Sequence, residues 1–344
     1  MSYLYLTESG ISLGFSQGSV TVKQKEREEA QTLPLANIDG ISVFGKAQLS
    51  TQLIRECMAA NISIGYYSDE GHYFGKISSF NRIDPDRQKR QVYLTDDAWF
   101  CLALSRKIID AKIRNSLALL NSMRNIYDFE EGDLRGLTHS LNNLRSANSV
   151  EMVLGFEGNA ARCYFKCLSK LLLDDAFAFR GRSAHPPKDP FNSMISYGYS
   201  LLYRNIIGAV ERHGLHPYFA YLHKQKYGHA ALASDLIEEF RSPLVDKTIL
   251  DFINAGEVDI SEFSCNESGA TYLNRSAMKR LTDRFSEILA RNQQYFLSYG
   301  DRKSYGFQVM LDKKIDSLID AIEHRDPQRY QPFIWESGRQ WATA

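Results

Sequence analysis

The chain has 344 residues, 44% hydrophobic and 24% charged, an ordinary globular composition in a length too great for one small core. Its 41 basic and 41 acidic residues cancel, which excludes a uniformly basic coat but leaves room for a local phosphate-binding patch. No apolar run is long enough to span a membrane, and "MSYLYLTESG" lacks the basic start and long apolar core of a secretory signal, so cytoplasmic residence is expected.

The first 80 residues read as β-rich. "YLYL" and "ISLGF" alternate apolar with polar or small residues, "SVTVK" follows the turn signal "SQG", and "IDGISVFG" and "ISIGYY" are further short apolar runs. Between those two runs, Leu53, Ile54, Cys57 and Met58 recur at helical spacing. "SDEGHYFGKISSF" predicts a hairpin turning at Asp69, Glu70 and Gly71. Residues 81–94 are polar and basic at their start and contain Pro85, which predicts a linker. From residue 95 onward the apolar spacing is helical, with basic residues interleaved; Asn192 or Ser193 is a candidate N-cap and Gly214 a helix stop. The expected architecture is therefore α+β and multidomain: a small N-terminal β-sandwich over 1–80, a linker over 81–94, and a larger all-α domain over 95–344. The five cysteines, Cys57, Cys101, Cys163, Cys167 and Cys265, are odd in number and hold no CxxC pair, so they read as small buried hydrophobes rather than a disulfide frame or zinc site.

The chemistry-bearing residues fall in three places. In a helical "ALASDLIEEFR", Asp235, Glu238, Glu239 and Ser242 share one face, which reads either as a solvated acidic face, the more ordinary outcome, or as half of a metal site. Upstream, His213, His216 and His229 read as structural or exposed, whereas His223 closes the aromatic run "PYFAYL" and needs a buried partner. Glu157, within "LGFEGNAARCYF", is either a buried acid approached by a ligand or an acid favoured by a helix N-terminus.

The ordered segments "GFEGNAARCYF", "RGRSAHPPKDPFNSMISYGYSLLY", "GLHPYFAYLH" and "ASDLIEEFR" resemble those of the CRISPR adaptation integrases, the universal first-numbered CRISPR-associated (Cas) proteins, over nearly the whole chain. The resemblance implies a metal site in which Glu157, His223 and Glu238 are ligands and Asp235 supports them. One imidazole with two carboxylates suits Mg²⁺ or Mn²⁺. The implied activity is that of a metal-dependent DNA endonuclease and integrase, in which the 3′-hydroxyl of a short DNA fragment attacks a phosphodiester of the CRISPR array. The implied partners are double-stranded DNA (spacer fragment and leader–repeat), a second copy of the chain in a homodimer, the small second-numbered Cas protein and the fourth-numbered Cas nuclease. The N-terminal domain would serve dimerisation and partner contacts. Arg180, Arg182, Lys188, Lys224 and Lys226 are candidate DNA contacts by nearness in sequence, and Arg275, Lys279, Arg280 and Arg284 form a further basic helix face or a solvated one. The segment "RSAH" is less basic than in many relatives, and "HKQKYGHAAL" varies among them. Two other readings remain open: a non-catalytic DNA-binding subunit of a CRISPR complex, and a metal-dependent phosphoesterase for a small molecule.

Overall fold

The structure, a computed structural model, describes residues 2–6, 10–24, 30–67, 73–79, 83–183, 186–290 and 306–335. The chain divides into two compact units, Met1–Asp84 and Pro85–Ala344.

The first unit runs β1 (Ser2–Leu6), β2 (Ile11–Ser16), β3 (Ser19–Gln24), β4 (Gln31–Pro34), β5 (Ile38–Phe44), β6 (Ala47–Leu49), α1 (Thr51–Ala59), β7 (Ser63–Tyr67) and β8 (Tyr73–Ile77). The strands make two four-stranded sheets, ordered β1-β5-β7-β8 and β4-β3-β2-β6. The signal "SQG" becomes a two-residue turn in which Gln17 and Gly18 both take positive φ, 48° and 76°, the geometry that joins twisted antiparallel strands. Leu13, Val20, Ile41, Leu53, Cys57 and Ile64 are buried in one core shared by both sheets and α1. The pairing is mixed: β1–β5, β5–β7 and β2–β6 are parallel, β2–β3, β3–β4 and β7–β8 antiparallel. The turn expected at Asp69–Gly71 lies outside the described residues.

In the second unit, α2 (Pro85–Leu94) is followed by α3 (Ala98–Ser122), α4 (Glu131–Asn143), α5 (Val150–Leu168), α6 (Pro190–Arg212), α7 (Ala231–Ile237) and α8 (Lys247–Asn254). A short antiparallel pair, β9 (Phe263–Cys265) and β10 (Thr271–Leu273), then precedes α9 (Arg275–Ala290) and α10 (Phe307–His324). The unit is thus mainly helical rather than all-α. Residues 85–94, expected as linker, are helix because a proline is tolerated in a first turn and Asp86 complements that end. This helix also has a partner. The buried Gln91 amide donates to the carbonyls of His216 (2.8 Å) and Phe219 (3.0 Å) and accepts from the His216 N–H (2.9 Å), pinning the segment that leads to His223. Helix α6 starts at Pro190, earlier than expected, because the Asp189 side chain caps it by accepting from Asn192 N; it stops at His213, with Gly214 at φ 76°. Its Gly198 is required by close approach, since a Cβ there would lie 2.7 Å from Val245 Cγ1. Among the described residues no helix is long and apolar enough to cross a membrane.

Candidate functional site

The site begins at α7. Helix α7 ends at Ile237, and the chain passes through a turn into a wide π-type turn over Arg241–Asp246 before α8. Pro243 has no N–H to give to the carbonyl four residues back. That carbonyl, of Glu239, is satisfied instead by the buried Asn115 amide of α3 at 2.7 Å. The break separates side chains that a continuous helix would align. Asp235 and Glu238 point one way; Glu239 points the other, where it accepts from Tyr330 Oη (2.7 Å) and Phe333 N (2.6 Å) and pairs with the fully buried Lys314. Of the two readings of this face, the solvated one does not hold: Asp235, Glu238 and Glu239 are 1%, 4% and 0% exposed.

Asp235 organises the residues before it. Its Oδ2 accepts from the backbone N–H groups of Tyr221 (2.7 Å) and Leu222 (3.0 Å). Its Oδ1 lies 2.9 Å from both the backbone N and the ring Nδ1 of His223. With Nδ1–H donated to a carboxylate, the lone pair of His223 sits on Nε2, which faces Glu238 Oε1 at 4.0 Å. Burial alone would lower the His223 pKa, but the Asp235 hydrogen bond and the charges of Asp235 and Glu238 outweigh it, and the imidazole is raised.

Glu238 is surrounded by cations. Arg241 reaches its Oε1 at 2.9 Å and Lys112 Nζ its Oε2 at 2.5 Å. Burial would raise this carboxyl; Arg241, Lys112 and His223 together hold it down at about 2. Glu157 enters from the middle of α5, well past the first turn, so a helix N-terminus does not explain it. It meets the same lysine, with Lys112 Nζ 2.5 Å from Glu157 Oε1. Burial lowers the Lys112 pKa and the two glutamates raise it, with a net rise. Behind this group, buried Asp246 accepts from Tyr199 Oη (2.6 Å) and Tyr164 Oη (2.7 Å), and burial lifts it to about 6. The guanidinium of Arg241 lies over the Tyr199 ring at 4.5 Å, which fixes its approach to Glu238.

A cavity of about 540 Å³ opens beside these residues, and Lys112, Glu157, Arg162, Arg180, Arg182 and Arg241 are among its walls. Arg180 and Arg182 therefore share a wall with Glu157. Arg180 is exposed, whereas Arg182 is half-buried, donating to Asn192 Oδ1 (2.9 Å) and Ser196 Oγ (3.1 Å). Lys188, Lys224 and Lys226 are exposed and do not line this cavity. In "RSAH", Ala184 and His185 lie outside the described residues. On α9, Arg280 pairs with Glu262 and Arg284 with Glu257 and Glu287. His213 is held by Asp312 and Asp316, and His229 by Ser234 with its ring stacked on Tyr203, so both are structural.

The structure thus brings Glu157 and Glu238 onto one ammonium and His223 against Glu238, with Asp235 behind. Among the described residues, no three acidic, histidine or cysteine side chains already converge tightly enough to hold a metal ion. Sequence reasoning missed Lys112, Arg241, Asn115 and the Tyr164–Asp246–Tyr199 frame. A signal existed for Lys112: it stands between buried Ala111 and Ile113 in α3, where a lysine needs a partner.

The family model of CRISPR associated protein Cas1 matches residues 4–287. A CRISPR-associated endonuclease Cas1 of Mycobacterium tuberculosis is 41% identical over 330 residues, covering 96% of each chain. Two solved structures share the fold. One is a casposase bound to integration product (TM-score 0.80, 23% identity, 99% of this chain and 96% of that one). The other is a chain of a Cas6-RT-Cas1–Cas2 complex (TM-score 0.76, 20% identity, 98% of this chain and 36% of that one). On these matches, which span both units, the chain belongs to the Cas1 family of CRISPR-associated proteins.

Proposed function

We propose that this Cas1 protein is a DNA endonuclease and integrase of CRISPR adaptation that uses Mg²⁺ or Mn²⁺ held by Glu157, His223 Nε2 and Glu238. The observation that carries the reading is the cluster itself. Two carboxylates, one of them buried, share the Lys112 ammonium, and an imidazole nitrogen faces the buried one at 4.0 Å. That donor set fits a hard or borderline divalent cation. Glu238 Oε2 supports the fit, since it is buried with a cation, the Lys112 ammonium, 2.5 Å away. When bound, the ion supplies Lewis-acid stabilisation of charge on the scissile phosphate and lowers the pKa of an attacking hydroxyl.

The chain's own residues do the rest. Asp235 keeps the Nδ1 proton of His223 in place and so presents Nε2 to the site. Arg241, held on Tyr199, keeps Glu238 ionised. Arg180 and Arg182, beside Glu157, take the phosphates on either side of the reacting bond, and Lys224 and Lys226 extend that contact past His223. In integration, the 3′-hydroxyl of a short duplex attacks a phosphodiester of the leader–repeat; with water as nucleophile the same site cuts. The protein works in the cytoplasm as a homodimer through residues 1–80, joined by the small second-numbered Cas protein, with the fourth-numbered Cas nuclease as a further partner. The likeness to a chain of a Cas1–Cas2 complex supports the first of these partners.

The test is strand transfer of a duplex with free 3′-hydroxyls into a supercoiled plasmid carrying a leader and repeat. The second-numbered partner is present, with Mn²⁺ or Mg²⁺ or with EDTA. Joining is expected with either ion, none with EDTA, and none with folded Glu157→Ala, His223→Ala or Glu238→Ala. Retained joining by any of the three removes that residue from the ligand set.

A further inference from the structure

We infer that Lys112 is a resident counter-cation of the Glu157–Glu238 pair, and that a divalent ion enters this site only by displacing the lysine ammonium. The inference rests on the proposed role of those two carboxylates as metal ligands.

Lys112 projects from the middle of α3, which packs against both α5, carrying Glu157, and the wide turn that follows Glu238. Its Nζ is 2.5 Å from Glu157 Oε1 and 2.5 Å from Glu238 Oε2. A metal ion bound by the same oxygens needs the same space, so the two cations exclude one another. The arrangement has a reason in electrostatics. Two carboxylates brought this close inside a protein repel unless a cation stands between them. Arg241 satisfies Glu238 Oε1 only. Lys112 is the cation that joins Glu238 to Glu157.

The lysine is a single positive charge shared between two carboxylates, and the Lys112 and Glu157 side chains keep 17% and 22% exposure. A divalent ion on the same oxygens balances both negative charges. Lys112 also has somewhere to go. It forms part of the wall of a cavity of about 540 Å³, so its flexible stem can swing the ammonium out of the gap between the two glutamates into that open space while α3 stays fixed. Entry of the ion then adds a positive charge to the DNA-facing wall. Metal and DNA binding become coupled, and linkage makes the coupling mutual.

The experiment uses the full chain and Mn²⁺ alone, without DNA. Mn²⁺ is titrated by calorimetry into wild type, Lys112→Met, Lys112→Gln and Glu157→Ala, each first shown to be folded by circular dichroism. Removing the competitor should tighten Mn²⁺ binding at least tenfold in both lysine variants, while Glu157→Ala loses it. In parallel, wild type is briefly acetylated with and without Mn²⁺ and Lys112 is followed by mass spectrometry, which needs no variant to fold. Its acetylation should rise several-fold with Mn²⁺. Glu157-dependent Mn²⁺ binding that is unchanged or weaker in folded lysine variants overturns the inference and leaves the metal reading standing. Unchanged acetylation of Lys112 at saturating Mn²⁺ does the same. Absence of any Glu157-dependent Mn²⁺ binding in wild type and lysine variants alike overturns the metal reading and this inference with it.

Discussion

Asp235 shows how much one side chain can settle. Its two oxygens take three consecutive backbone N–H groups and the Nδ1 of His223. Hydrogen bonds to a charged acceptor contribute about 1.5–3 kcal/mol each, so this residue both folds the approach to the site and fixes the tautomer of its histidine. Asp235→Asn keeps the shape and removes the charge, and its amide N–H₂ faces a donor. We expect Mn²⁺ affinity to fall about 10- to 100-fold, the range for lost support behind a metal-ligating histidine. Urea unfolding should show a loss of about 1–3 kcal/mol, the cost of a buried donor left unmatched. Wild-type affinity in a folded Asp235→Asn would show that His223 needs no such support. At this scale the sequence was informative. The need of His223 for a buried partner follows from its aromatic run, and Asp235 and Glu238 stand one turn apart on the face that helical spacing gives them. Lys112 was not legible as a site residue, because its role depends on α3 crossing α5 and on the wide turn, and neither crossing is written in local periodicity.

The element that makes the site is the broken helix from Ala231 to Asn254. Helical spacing alone groups Asp235, Glu238 and Glu239, yet α7 ends at Ile237 and the Glu239 side chain turns into the core. Two neighbouring glutamates thus do opposite work. Glu238 faces the cavity cations, and Glu239 ties the break to α10 through Lys314 and to the following segment through Tyr330 and Phe333. Burial lowers the Lys314 pKa to about 8, against the pull of Glu239, and raises that of Glu239, against the pull of Lys314. Removing one partner leaves a charge in a site with no access to water. Lys314→Met or Glu239→Gln should therefore cost about 3–5 kcal/mol in urea unfolding. The double variant should cost less than the sum of the two singles, since it leaves no unpaired charge. Additive costs would mean that the two groups do not act as a pair. The same element shows why periodicity failed here. The helix ends at Ile237, short of Glu239, and a distant Asn115 takes the Glu239 carbonyl that Pro243 cannot serve, so the helical spacing does not carry through to Glu239.

For the molecule as a whole, the balance of 41 basic and 41 acidic residues makes location decisive, because net charge supplies no general attraction to DNA. The β-rich start and helical remainder were legible from the change of hydrophobic period near residue 80. The helix at 85–94 was not, because its reason is the long-range clamp of Gln91 on residues 216–219. Among the described residues, the basic side chains divide in the same way, into those with intramolecular duties and those without. Arg280 and Arg284 are tied to Glu262, Glu257 and Glu287, and Arg182 to Asn192 and Ser196. Arg180 is exposed on the wall that it shares with Glu157. Each neutralised phosphate contributes about 0.9 to the slope of log affinity against log salt for duplex DNA. Arg180→Ala should therefore weaken duplex binding and reduce that slope by about one unit, whereas Arg280→Ala should leave the slope unchanged. Binding measured from low to moderate salt by fluorescence anisotropy decides between them. A slope near zero in wild type would instead suit a small phosphorylated substrate. Equal effects from the two arginines would place DNA along α9 as well as along the cavity.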